Sequence, residues 1–206
     1  MKAQTMFNRF GSVANIIGGI CVAIAYTLHP HHATPDVIAG SFWLIIHVLF
    51  ALSLMFGVFG LFTLFQRHFL KSNMIGLIGF ILAVVSLMGI SGLNFFEAFI
   101  NPVIAVESPA FVHKHGAGTS IGHVFWLFPL LGIFFLLGYE LFCLDLFNAN
   151  TVNRNALLLT MLGTLVFGIG LSGFLPMIVV QVGSILFGSG LVSLGVASFR
   201  YHGEQA

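Results

Sequence analysis

Arg67-His68-Phe69-Leu70-Lys71 places two cations in five residues, between an apolar run near 37–65 and another near 73–100. Short loops that keep Lys and Arg stay on the cytoplasmic side of a membrane, so this gap is assigned inside and the runs on either side are assigned as spans. Working outward, Lys2 and Arg9 precede a run near 11–28, Arg154 separates runs near 120–147 and 155–174, and Arg200 follows a run near 177–199. These cations occupy alternate gaps, and only Lys114 falls in a gap of the other class. A helix needs about 20 apolar residues to cross a hydrocarbon core. The pattern predicts an all-α integral membrane bundle of six transmembrane helices in three hairpins, one domain over 1–206, with both termini cytoplasmic.

Composition points the same way. The chain is 58% hydrophobic and 6% charged, against an average charged share of about 25% in soluble domains. A formal charge of +1 supplies no basic patch for nucleic acid and no excess for an acidic substrate, which leaves the lipid bilayer, a small ligand or another membrane subunit as partners. The first run lacks a small-residue cleavage pattern and is expected to be a retained span rather than a secretory signal. A bacterial plasma membrane is the expected location.

Each odd-numbered run closes on a proline, Pro30, Pro102 or Pro176, where a regular helix loses a hydrogen bond. Residues 29–36 form a short outer connection, and residues 101–119 a longer loop with apolar pieces able to fold back as a lid. The histidines gather at this outer face: His29, His31 and His32 in the first connection, His113 and His115 in the second, with His47 and His123 inside spans. Ionisable groups inside a span are costly and usually face a bundle interior or cavity, which singles out His47, Glu97, His123 and Glu140. Glu97, His123 and His47 are expected to share a depth, whereas Glu140 lies in the inner half beside Tyr139, where it could extend toward Arg154 or Arg67 as a surface ion pair. Trp43 and Trp126 fit an aromatic belt at the interface, and Thr164, Gly168 and Ser172 fit a packing stripe. Cys21 and Cys143 differ too much in depth to bridge. Gly116, Gly118 and Gly122 miss the spacing of a dinucleotide loop.

The segment Phe95-Phe96-Glu97-Ala98-Phe99-Ile100-Asn101-Pro102, with Trp43 followed by His47 in the preceding span, resembles an uncharacterised group of small bacterial six-span membrane proteins. The resemblance implies that architecture and a bacterial plasma membrane, and no activity.

Of three functions that the sequence allows, binding of a b-type haem near the outer face is the expected one, because it uses the two deepest histidines and the aromatic excess together. His47 and His123 suit axial ligation of a b-type haem, with the Phe-rich spans (24 Phe) forming a slot and quinol as electron donor; axial ligands and burial set such a potential, while against this reading only Lys114 and the loop histidines are at hand to neutralise the propionates. His47, Glu97 and His123, fed by His29, His31, His32, His113 and His115, alternatively suit copper or zinc for transport, delivery or metal-assisted hydrolysis. The third function is that of an accessory subunit in a larger membrane complex.

Overall fold

The computed structural model describes residues 3–115, 124–171 and 175–203. Those residues are helical almost throughout: α1 (Ala3–Thr27), α2 (Pro35–Ile38), α3 (Ser41–His68), α4 (Met74–Phe95), α5 (Asn101–Glu107), α6 (Pro109–His115), α7 (Val124–Asn148), α8 (Arg154–Gly170) and α9 (Met177–Gly203). A 3-10 turn, Phe69–Lys71, follows α3 and a π turn, Phe96–Ile100, follows α4. No strand occurs among the described residues. Helices dominate because an apolar chain in lipid must satisfy its backbone groups within each segment. Two starts are capped by side chains: Asn73 accepts from the Ile75 and Gly76 amides, and Asn153 from Ala156.

Among the described residues, five helical stretches are long and apolar enough to cross a membrane: Ala3–Thr27, Ser41–Lys71, Met74–Glu107, Trp126–Asn148 and Met177–Phe199. The 17 residues of α8 reach only about 25 Å at 1.5 Å per residue, less than a typical core of about 30 Å. The run expected at 155–174 is therefore the short member of the set.

The six long helices close a ring in which each packs on its neighbours in sequence and α9 returns to α1. Neighbours run antiparallel. Gly11 lies against Thr63 and Gly18 against Ser53 on α3, while Gly79 lies against Phe142 and Gly89 against Leu131 across α4 and α7. The ring closes where Gly19 and Gly188 each press on the other's carbonyl, an approach any Cβ would obstruct. The α7–α8 seam is the least extensive of the six contacts.

Aromatic side chains fill the centre. Tyr26 of α1 meets Phe50 of α3 and Phe167 of α8 edge-on at 4.6 and 4.7 Å between centroids. Phe187 of α9 meets Phe135 and Tyr139 of α7 at 5.2 and 5.0 Å. Much of the interior aromatic content is thus spent on ring–ring packing. The outer surface carries exposed Leu, Ile, Val, Met and Phe on every long helix, as a lipid-facing surface requires.

Two expectations change here. The third apolar run does not stop at Pro102: the helix widens into the π turn and resumes as α5 with the proline in its first turn. Residues 101–115 are not a loop, since α5 and α6 pack Ala105 and Val112 with Ile38 and Trp43 in a small second core. Residues 116–119 and Ser172 lie outside the described residues.

Candidate functional site at the histidine-rich end

The site starts from a missing donor. Within the π turn the Asn101 amide bonds the Phe96 carbonyl, so the next bond in that register belongs to residue 102 and the Glu97 carbonyl. Residue 102 is proline and has no N–H. The indole Nε1 of Trp43 supplies the bond instead, at 2.9 Å. Trp43 is consequently buried, with 2% exposure, whereas Trp126 is 71% exposed. An aromatic belt accounts for Trp126 and not for Trp43.

One turn beyond Trp43, His47 is buried and its Nδ1 lies 2.9 Å from the Trp43 carbonyl. A carbonyl only accepts, so Nδ1 carries the proton and Nε2 of the neutral ring keeps its lone pair. His29 repeats the arrangement, with Nδ1 2.8 Å from the Pro30 carbonyl. Burial, partly offset by that bond and reinforced by His31, holds His29 below the ordinary imidazole range and favours its neutral form. The His29 and His47 rings lie 5.3 Å apart at 70°. Asn101 donates to Glu97 Oε2 at 2.6 Å, and the buried Asn94 donates to the Ile90 carbonyl at 2.9 Å.

His29, Trp43, His47, Asn94 and Glu97 line a cavity of about 210 Å³. Its walls also include Tyr26, Phe50 and Phe128, and the same three residues line a larger apolar chamber of about 520 Å³ beside Pro129, Gly132 and Gly168. The histidine-lined cavity therefore borders an apolar one that lies along the α7–α8 seam, with Tyr26, Phe50 and Phe128 common to both walls.

The expected ligand residues separate into groups. His47 and Glu97 line one cavity, and His29 joins them from the first connection. His31, His32 and His113 are exposed, and His115 packs its ring on Phe111 at 4.7 Å. His123 lies outside the described residues. Among the described residues, no group of three or more His, Cys, Asp or Glu is arranged to hold a metal ion. Glu140 does not reach Arg154 or Arg67: its Oε1 is buried without a hydrogen-bond partner, and the Arg154 guanidinium lies 4.8 Å from the Phe147 ring centroid. Cys21 and Cys143 are free thiols.

A second polar cluster, at the opposite end of the ring, went unread in the sequence. His68 Nε2 lies 2.7 Å from Asp145 Oδ2, both residues being buried. Ser72 donates to the same oxygen at 3.0 Å, and Thr151 Oγ1 lies 3.2 Å from His68 Nδ1. This ties the end of α3 to the end of α7 and to the turn before α8. Asp145 lies within the apolar run 120–147, so the criterion that singled out Glu140 also applied to it.

No family model, curated protein or solved structure matches this chain.

Proposed function

We propose that the chain is a six-span protein of the bacterial plasma membrane, in three hairpins with both termini cytoplasmic, whose histidine-rich end binds the head of a quinol. The observation that carries this reading is a histidine-lined pocket that shares a wall with a larger apolar chamber. With both Nδ1–H groups given to carbonyls, His29 and His47 offer Nε2 lone pairs. The two imidazoles therefore favour an occupant that brings hydrogen-bond donors. A quinol brings two hydroxyl donors on a ring and an apolar tail that suits the chamber.

Haem is the second reading, and the anchoring of His47 favours it. Ligating histidines commonly give their other N–H to a carbonyl, which fixes ring orientation. His47 would then be one axial ligand and His123 the other.

One preparation tests both. Full-length protein in mild detergent, titrated with a short-chain quinol, should bind it, with His47→Ala and Glu97→Gln each weakening binding about tenfold, or ~1.4 kcal/mol. Wild-type affinity in both variants would end the quinol reading. A reduced-minus-oxidised haem spectrum that disappears in His47→Ala would put haem in its place.

A further inference from the structure

The basic end of the ring holds a second cavity that the quinol reading does not use. It measures about 280 Å³ and is lined by Arg67, Asn150, Thr151, Asn153 and Ser198 among others. Ser198 is only 3% exposed, and its Oγ is buried with no hydrogen-bond partner among the described residues. A buried hydroxyl is normally bonded, and this one, beside the cavity, has a bond still to make. Thr151, in the same wall, is held by His68 at 3.2 Å, and His68 by Asp145 at 2.7 Å.

The lining has the chemistry of an anion site. A guanidinium, hydroxyls and carboxamides suit the oxygens of a phosphate group, for which Arg is a preferred partner. A more apolar groove adjoins the cavity. Asn153 and Ala197 are shared with a groove of about 430 Å³ between α8 and α9, whose walls include Ala156, Leu159, Val192 and Val196. A free anion has no use for such a groove, whereas an acyl chain does.

We propose that this cavity and groove form a site for an anionic phospholipid, with the phosphate among Arg67, Thr151 and Ser198 and an acyl chain between α8 and α9. The site lies at the end of the ring that carries Arg67, Lys71 and Arg154, where basic side chains attract anionic lipid.

The test uses full-length protein, delipidated in a neutral detergent and followed by thermal unfolding. The probes are short-chain phosphatidylglycerol, short-chain phosphatidylcholine and inorganic phosphate. Phosphatidylglycerol should raise the melting temperature in a saturable way, and the other two should not at equal concentration. Arg67→Gln and Ser198→Ala should each weaken that response about tenfold. Ser198→Ala removes a hydroxyl that has no partner among the described residues, so the unliganded variant should be as stable as wild type and remain a clean comparison. Stabilisation by inorganic phosphate equal to that by the lipid would overturn the lipid assignment in favour of a free anion. Equal stabilisation by both lipids, or a wild-type response in both variants, would overturn the site. His47→Ala should leave the response unchanged, which separates this site from the histidine-rich one.

Discussion

The residue that best separates packing from chemistry is His68. Both its ring nitrogens are engaged, one by Asp145 and one by Thr151, and Asp145 also accepts from Ser72. A buried pair of this kind contributes little over a well-packed apolar pair, but losing one partner strands the other and costs about 3–5 kcal/mol. His68→Leu and Asp145→Leu are each expected to destabilise by about that amount. The double variant should recover at least half of the loss, because neither buried ionisable group is then left without the other, and the half-buried hydroxyls of Ser72 and Thr151 lose only one bond each. Denaturation of the purified protein in detergent measures all three; strictly additive losses would show that the two side chains do not act as a pair.

At the scale of the element, the π turn at Phe96–Ile100 is held by two local facts and one distant one. Pro102 lacks an N–H, the Asn101 carboxamide binds Glu97, and the Trp43 indole takes the Glu97 carbonyl. Trp43→Phe should leave that carbonyl without a donor, at a cost of about 1–3 kcal/mol. Pro102→Ala restores an N–H where the register needs one. Trp43→Phe should therefore cost less in a Pro102→Ala background, as read by circular-dichroism melting of the two single variants and the double. An unchanged cost would mean that the indole contributes through its volume alone. Proline was legible in the sequence as an interruption, and α4 does end early. The continuation through α5 was not legible, because it depends on Trp43, 54 residues away.

For the whole molecule, the ring sets a histidine-rich end against a basic end, and their sides of the membrane are open to chemical labelling. With Cys21 and Cys143 replaced, Ala33→Cys should react with an impermeant thiol reagent from outside intact cells. Leu70→Cys, at a position 95% exposed in the basic turn, should react only after the membrane is opened. The reverse pattern would invert the topology and put the histidine-rich pocket at the cytoplasmic face.

The sequence by itself determined the helical class, the apolar runs, and the prominence of His47 and Glu97. These are properties of composition and spacing: apolar length makes helices in lipid, and an ionisable group inside such a run stands out because burying it is costly. Tertiary structure alone decided which side chains meet. It brought His29 beside His47, buried Trp43 at the Glu97 carbonyl, left His31 and His32 exposed, and paired His68 with Asp145 across 77 residues. Helical spacing specifies a face of one helix and not the neighbour it turns toward. That choice was made by close approaches such as Gly19 on Gly188, which close the ring and so fix the rotation of each helix within it.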